Sequence, residues 1–131
     1  MLIDTSGFLC KFEKNEIHHE KATEIYESAT ILLTSSYILA EFTALAHVRG
    51  IPRKKIIQFS EDVLADEKTD IVWVDAQLHR TAIELLKRRL DKSYSLCDAV
   101  SFVLMRSRGV NAALTTDKHF EQEGFVRLLK S

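Results

Sequence analysis

Four acidic residues, Asp4, Glu41, Asp98 and Asp117, are the candidates for chemistry in this chain. Asp4 and Asp117 each follow a short apolar run that predicts a β-strand, and Asp98 lies at the start of a predicted helix. In an open α/β sheet, ligands bind beyond the carboxyl ends of the strands, and helix N-termini face the same edge. We therefore expect the three aspartates to converge at this edge of the sheet.

Glu41 is different because it lies inside a predicted helix rather than at the end of an element. Helical periodicity of about 100° per residue places it within the apolar stripe of YILAEFTALAHVR, between Ile38 and Leu45 on one side and Tyr37 and Val48 on the other. A buried charge is costly unless it is paired or bound to a metal. An ion pair with an arginine or lysine explains Glu41 as well as a metal site does.

Each aspartate also has a purely structural explanation. Asp4 and Asp117 stand where a helix N-cap is expected, and aspartate is a favoured capping residue. Asp98 lies three residues after Ser95, which is the spacing of a capping box. Taken singly, Asp4 and Asp117 are better explained as caps or loop acids, whereas for Asp98 capping and metal binding are balanced.

The four acids together point to a metal centre. Several carboxylates gathered at one edge repel one another, and a divalent cation relieves that repulsion. Ligation by oxygen alone selects Mg²⁺ or Mn²⁺ over zinc. Such an ion keeps water molecules, one of which can attack a phosphate. The residues therefore predict metal-assisted hydrolysis of a phosphoester.

Short apolar runs that alternate with longer amphipathic stretches predict an α/β fold with a parallel sheet. The predicted strands span residues 1–3, 31–34, 71–74, 112–115 and 126–129, and Trp73 is expected in the core. The predicted helices span residues 7–12, 16–28 (capped by Asn15), 37–49, 52–65, 76–90, 96–108 and 118–123. No linker or repeat divides residues 1–131, so we expect one domain.

Composition narrows the function classes. The chain has 19 acidic and 18 basic residues, so it lacks the basic excess typical of proteins that bind nucleic acid through overall charge. Any nucleic-acid role must come from a local site or from a groove in a dimer. No apolar run approaches the roughly 20 residues of a membrane span, and no signal peptide is recognised. We expect a cytoplasmic protein whose two cysteines, Cys10 and Cys97, are free thiols.

At four stretches the chain resembles PIN-domain proteins, and among them the VapC-type ribonuclease toxins. The stretches are IDTSGFL at the start, AEF around Glu41, SLCDAVSFVLM around Asp98 and ALTTDKHFEQEGFVRL at the end. The resemblance implies a three-layer α/β/α domain around a central parallel sheet of about five short strands. It also implies an endoribonuclease that uses one or two Mg²⁺ or Mn²⁺ ions.

The same resemblance assigns roles to individual residues. Asp4 and Asp98 match positions that bind the metal directly, while Glu41 and Asp117 complete the site directly or through water. Ser6 and Thr116 match small hydroxyl positions that orient a carboxylate or a water molecule. Because the four-acid pattern is intact, an inactive member is not expected. The implied partners are an RNA substrate, an antitoxin protein that occludes the site, and a second copy of the chain in a homodimer.

Local sequence suggests roles for other charged residues near these motifs. Lys118, at a predicted helix start, is a candidate phosphate contact, whereas His119 is interpreted as a solvated loop residue. The run from Lys87 to Arg89 is interpreted as a solvated helix end. Two alternatives to the ribonuclease remain: a metal-dependent phosphatase acting on small phosphomonoesters, and a non-catalytic RNA-binding module.

Overall fold

A five-stranded parallel sheet forms the centre of the molecule, and the computed structural model describes residues 1–130. The strands are β1 (Leu2–Ile3), β2 (Leu32–Ser35), β3 (Thr69–Val72), β4 (Ala112–Leu114) and β5 (Val126–Arg127). Their order across the sheet is β3-β2-β1-β4-β5. Every residue of β1 and β2 is buried, as expected for central strands that are covered on both faces.

In residues 1–130, seven helices connect and cover these strands. They are α1 (Thr5–Phe12), α2 (His19–Ser28), α3 (Ser36–Val48), α4 (Arg53–Ala65), α5 (Ala76–Lys87), α6 (Leu96–Arg108) and α7 (Lys118–Gln122). Helices α1 to α4 pack mainly against one another, as do α5 to α7. Crossovers between parallel strands are right-handed as a rule, which puts the two groups on opposite faces of the sheet, and the predicted three-layer fold is confirmed by the matching solved structure. None of the helices in residues 1–130 combines the length and the hydrophobicity that a membrane-spanning segment requires.

The chain reverses its direction across the sheet between β1 and β4. From β1 it proceeds through β2 to the β3 edge, and it then crosses back to β4 and β5. Leu2 pairs with Ala113 and Ile3 with Leu114, so the residues that follow β1 and β4 leave the sheet side by side. A crevice forms where connections depart in opposite directions, and this is the usual place for a ligand.

Gly7 allows the first turn of α1 to lie directly against β4. A Cβ atom at Gly7 would stand 2.1 Å from the backbone carbonyl oxygen of Leu114, far inside van der Waals contact. The Gly7 amide also donates to the side chain of Asp4. The glycine in the IDTSGFL motif therefore serves a close approach that positions the first acid.

Two sequence-based predictions about this scaffold were wrong. Trp73 is 65% exposed and follows the end of β3, because pairing with β2 starts the strand at Thr69 rather than at residue 71. The second helix begins at His19 without a side-chain cap, and residues before it, including Asn15, form an exposed turn. The apolar run that contains Trp73 resembles a buried strand, but β3 is an edge strand whose register depends on β2.

Candidate active site

A cleft of about 300 Å³ opens at the carboxyl edge of β1 and β4. Its walls come from the loops after these strands and from α1, α3 and α6. The four predicted acids, Asp4, Glu41, Asp98 and Asp117, all line it. The other lining residues are Thr5, Ser6, Leu9, Cys10, Glu16, Leu45, Arg49 and Thr116. The structure thus gathers the four acids in one place, and their catalytic role stays a prediction.

Asp4 is the most deeply buried acid of this cleft, with 7% of its surface exposed. Its Oδ1 accepts hydrogen bonds from the Gly7 amide at 2.9 Å and the Ser6 hydroxyl at 2.8 Å, and its Oδ2 accepts from the Thr115 hydroxyl at 2.7 Å. Burial raises the pKa of Asp4 to about 7, because these bonds offset only part of the desolvation and the charge of Asp117 adds to the rise. Within residues 1–130, a negative charge on Asp4 therefore has no cationic side chain as a partner.

Asp98, Asp117 and His119 form a tighter group beside Asp4. The Nδ1 atom of His119 lies 3.0 Å from Oδ2 of Asp98 and 3.4 Å from Oδ1 of Asp117. One ligand atom from each of the three residues lies within 4.8 Å of the other two, which is a spacing that can hold a metal ion. Asp4 and Glu41 line the same cleft but lie outside this group.

The three aspartates are helix caps as well as cleft residues. Asp4 caps α1, and Asp117 caps α7 by accepting from the His119 amide at 2.9 Å. Ser95 and Asp98 form the capping box of α6, with both bonds at 3.0 Å. Within residues 1–130, Oδ1 of Asp98 and Oδ2 of Asp117 accept no hydrogen bond. Capping therefore leaves one free carboxylate oxygen on Asp98 and one on Asp117. A role as a helix cap is compatible with a role as a metal ligand.

Glu41 is exposed, which corrects the expectation that it lies in the apolar stripe of its helix. The core-facing stripe of α3 consists of Ile38, Phe42 and Ala46, all fully buried. Glu41 begins the neighbouring stripe, which faces the cleft, and its Oε1 accepts a hydrogen bond from the Thr5 hydroxyl. Helical periodicity does not separate these stripes because Tyr37 and Leu45 lie one turn before and one turn after Glu41 and extend the apolar pattern to it.

Thr115 holds the two loops of the cleft together. Its hydroxyl donates to Asp4 and accepts from the Asp117 amide at 2.9 Å. The Ser6 hydroxyl, which donates to Asp4, also accepts from the Thr116 amide at 3.0 Å. Ser6 therefore contacts Asp4 through its side chain and Thr116 contacts the site through its backbone. Thr115 was missed from the sequence, because a buried threonine in a strand pattern gives no sign of a partner 111 positions away.

Two interpretations of charged residues were wrong. His119 is not a solvated loop residue, since its ring lies between two acids of the cleft and its Nε2 is 3.1 Å from the Ser93 hydroxyl. Arg89 is not part of a solvated helix end, because its Nε donates to Glu123 at 2.7 Å. Lys118 is exposed and does not line the cleft within residues 1–130, so its phosphate contact remains a prediction.

Neither cysteine near the cleft is poised to react. Burial raises the pKa of Cys10 to about 11, and the charges of Glu16 and Asp4 contribute. Burial likewise raises the pKa of Cys97, with further contributions from Glu41 and Asp98. The thiolate is the form that attacks and that binds metals, so both residues stay neutral thiols. Both cysteines are free, as expected from the sequence.

The donor set fits a divalent cation. It combines carboxylate oxygens from several chain segments with the single imidazole nitrogen of His119. Asp4 supplies the observation specific to this cleft, because in the described part of the chain its buried charge has hydroxyl and amide donors but no cationic side chain beside it. Hard oxygen ligands suit Mg²⁺ and Mn²⁺, and the added nitrogen is better tolerated by Mn²⁺.

Comparison with known proteins identifies the same fold and sequence pattern elsewhere. The family model described as "PIN domain" matches residues 1–125. The "23S rRNA-specific endonuclease VapC20" of two Mycobacterium tuberculosis strains is 27% identical over 129 residues, covering 98% of this chain and 97% of theirs. A "VapC ribonuclease" from Archaeoglobus fulgidus is 28% identical over 109 residues, covering 79% of this chain and 68% of its own.

A solved structure extends this likeness to three dimensions. The crystal structure of Mycobacterium tuberculosis VapC20, described as a sarcin-ricin loop cleaving toxin, superimposes with a TM-score of 0.86. The two chains share 26% identity, and the match covers 95% of each. The similarity therefore includes the sheet, both helical layers and the cleft region.

Proposed function

The chain belongs to the PIN-domain family, and we propose that it is a divalent-metal-dependent endoribonuclease that acts as the toxin of a toxin–antitoxin pair. The resemblance predicted from the sequence is confirmed by the match over residues 1–125, and the predicted enzyme class, a ribonuclease, by its VapC relatives. Metal dependence, the RNA target, the partners and a cytoplasmic location are the parts that the proposal adds.

The observation that carries the proposed metal dependence is the uncompensated charge of Asp4. A buried carboxylate whose pKa is raised to about 7 makes the metal-free site unfavourable at neutral pH, and a bound cation offsets that cost. The chemistry that a bound divalent ion supplies is charge neutralisation at the phosphate and activation of water as a nucleophile.

The chain's own residues then hold and orient the groups of the site. Asp4 and Asp98 are the proposed direct ligands, and Glu41 and Asp117 complete the site directly or through water. The Thr5 hydroxyl fixes one oxygen of Glu41, just as hydroxyls fix Asp4. Such hydrogen bonds to ligand carboxylates set their direction, and losing one costs metal affinity.

The primary test is cleavage of labelled RNA by purified protein with Mg²⁺, with Mn²⁺ and with a chelator. Asp98→Asn should lose cleavage while remaining folded, because the carbonyl oxygen of asparagine can still accept the capping-box hydrogen bond from the Ser95 amide. Asp75→Asn is the matched control, since Asp75 also accepts a capping hydrogen bond, at the N-cap of α5, but lies outside the cleft-lining residues. Cleavage that survives the chelator, or equal activity in both variants, would refute the metal mechanism.

Mn²⁺ is proposed to support at least as much activity as Mg²⁺. The reason is His119, whose nitrogen lies within the candidate ligand group and is a poorer ligand for Mg²⁺ than for Mn²⁺. His119→Gln should lower the ratio of Mn²⁺ to Mg²⁺ activity. An unchanged ratio would assign His119 to orientation of Asp98 alone.

Large ribosomal RNA is the proposed substrate. The support comes from the VapC20 relatives and the matching crystal structure, whose names give 23S rRNA and the sarcin-ricin loop as the targets of that protein. The assay should compare intact ribosomes, a stem-loop oligonucleotide of the sarcin-ricin sequence and the same stem with a scrambled loop. A single cleavage site in the native loop supports this target, whereas uniform cleavage of all three excludes it.

An antitoxin protein and a second copy of the chain are the proposed partners. The support is that the matching structure is described as a toxin, and that a separate groove of about 750 Å³ offers an apolar floor of Phe8, Phe12 and Phe59 with Lys11 and Lys55 among its lining residues. Co-expression with the product of the adjacent gene should suppress growth inhibition and yield a stable complex. Sedimentation of the chain alone tests the dimer.

A metal-dependent phosphatase remains the alternative enzyme, because the same acids could activate water toward a phosphomonoester. The cleft of about 300 Å³ is large enough for a small ester. Turnover of p-nitrophenyl phosphate without cleavage of any RNA would favour this alternative.

A further inference from the structure

One stripe of α3 runs along the wall of the cleft. Glu41, Leu45 and Arg49 are spaced four residues apart, so they lie on one face of the helix, and all three line the cleft. Within residues 1–130, Arg49 is the single lysine or arginine among the residues that line it. A cleft that carries five acids therefore has one fixed positive charge, at the end away from Glu41.

Arg49 is bound by an acid that also lines the cleft. Its Nη1 donates to Oε1 of Glu16 at 2.8 Å. The guanidinium side chain is 49% exposed and that of Glu16 is 29% exposed, so this is a solvated ion pair of the kind that contributes little to stability. A guanidinium has five N–H donors in a planar fork, and Glu16 accepts from one nitrogen, so donors remain for a second oxyanion.

The position of Arg49 suits a strand of RNA that passes through the acid cluster. Eight residues of helix separate its Cα from that of Glu41 by about 12 Å. The arginine side chain therefore reaches a phosphate next to, but distinct from, the one at the acids. Arginine binds phosphate oxygens through two parallel hydrogen bonds, which a lysine cannot reproduce.

We propose that Arg49 binds a backbone phosphate of the RNA substrate, and that Glu16 competes with this phosphate by pairing with Arg49 in the free enzyme. This inference rests on the proposed ribonuclease function and adds a substrate-binding residue to it. Glu16 thereby weakens the binding of any RNA that contacts Arg49. Removing the two partners should consequently change RNA affinity in opposite directions.

The test measures the affinity of a fluorescent RNA for variants made in an Asp98→Asn background, where the RNA stays intact. Arg49→Ala should raise the Kd about tenfold and reduce the slope of log K against log salt by about 1. Arg49→Lys should give a Kd between that of the unchanged Arg49 protein and that of Arg49→Ala. Glu16→Gln should lower the Kd severalfold, and the double variant Glu16→Gln/Arg49→Ala should match Arg49→Ala, because the acid acts only through the arginine.

Arg108→Ala is the matched control. Arg108 has a similar exposure of 46% and a similar ion pair, 2.7 Å to Asp70, but it lies at the opposite end of α6 from Asp98. Its loss should leave the Kd and the salt slope unchanged. Thermal unfolding of every variant separates binding from stability.

Two results would overturn the inference. One is an unchanged Kd for Arg49→Ala. The other is weaker binding by both Arg49→Ala and Glu16→Gln together with equal losses of thermal stability, which would make the pair a structural tie. Neither result touches the proposed function, which is tested separately by cleavage with Asp98 intact. If that enzyme cuts RNA with the same KM with or without Arg49, only the inference about Arg49 fails.

Discussion

Two buried carboxylates, Asp4 in the cleft and Glu123 beneath α6, have nearly the same exposure and opposite electrostatics. Asp4 is 7% exposed and Glu123 is 8% exposed. Burial raises the pKa of Asp4 to about 7, since hydroxyl and amide donors compensate only part of the desolvation. Burial opposes the charge of Glu123 as well, but hydrogen bonds from Arg89 and Arg106 outweigh it and hold the pKa of Glu123 below its usual value.

The difference lies in where the counterion comes from. The carboxylate of Glu123 accepts hydrogen bonds from Arg89 at 2.7 Å and from the Tyr94 hydroxyl at 3.1 Å, and it also pairs with Arg106. Side chains of the same chain therefore neutralise its charge. Within residues 1–130, no arginine or lysine contributes to the pKa of Asp4, and the charge of Asp117 raises that pKa further. The counterions of Glu123 are side chains of the same chain, whereas the proposed counterion of Asp4 is a cation bound from solution.

Asp4→Asn gives the largest expected effect and separates activity from stability. RNA cleavage should fall at least a thousandfold, which corresponds to roughly 4 kcal/mol of transition-state stabilisation. The metal-free variant should nevertheless be more stable than the wild type at pH 8, by about 1–3 kcal/mol, because it removes a buried charge. Single-turnover cleavage and urea unfolding in a chelator measure the two effects.

The pH dependence of this gain follows from the direction of the pKa shift. The folded-state pKa of Asp4, about 7, lies above its usual value of 3.8, so folding favours the protonated acid. The wild-type protein without metal should lose stability as pH rises from about 4 to 7, and the loss should level off above pH 7. The advantage of Asp4→Asn should therefore shrink at pH 5, and a variant that is less stable at pH 8 would contradict this account.

Glu123→Gln should have the opposite effects from Asp4→Asn: the protein should lose stability and keep its RNA cleavage activity. Removing the charge leaves Arg89 and Arg106 without a partner. The cost should be about 2–3 kcal/mol, lower than for a fully buried pair because both arginines are partly exposed. Urea unfolding at pH 7 is the measurement. Glu84→Gln is the control, since Glu84 pairs with Lys87 at the surface, with side chains 58% and 67% exposed, and its loss should cost far less stability.

A divalent metal ion should raise the free energy of unfolding, and this gain should depend on Asp4 but not on Glu123. At a metal concentration about one hundred times its Kd, the wild type should gain roughly 2.7 kcal/mol. Glu123→Gln should gain the same amount, whereas Asp4→Asn should gain much less. Thermal unfolding with and without Mn²⁺ measures the three shifts. An equal shift in all three proteins would place the metal elsewhere.

Much of the scaffold was predictable from the sequence because local signals define it. The capping box of Ser95 and Asp98, the Asp75 cap and the left-handed stop at Gly109 all stand where their residue types predict. Observed strands lie within two residues of the predicted starts. Trp73 was misplaced because strand register is set by the neighbouring strand, which a local pattern does not contain.

The sequence predicted which acids gather in the candidate site, but it did not predict the hydrogen bonds and ion pairs that surround them. Asp4, Asp98 and Asp117 follow from strand and helix ends, and topology brings such ends together. The contacts of Thr115, His119 and Glu123 depend on distances between remote segments, so local patterns predicted the wrong environment for His119 and for Arg89 beside Glu123. The exposure of Glu41 was missed because the stripe of α3 that faces the cleft lies directly beside the stripe that faces the core.

Thr115→Val gives the smallest expected effect. It tests how far the hydrogen bond from Thr115 stabilises the charged form of Asp4. It deletes the hydroxyl that donates to Asp4 and accepts from the Asp117 amide, so it should raise the pKa of Asp4 further. Mn²⁺ affinity at pH 7 should fall severalfold because more of the acid is protonated and its orientation is looser. Thr115→Ser should restore it, since serine keeps the hydroxyl. Isothermal titration at pH 7 and pH 8.5 distinguishes the two causes: a loss due to protonation recovers at the higher pH, and a loss due to orientation does not.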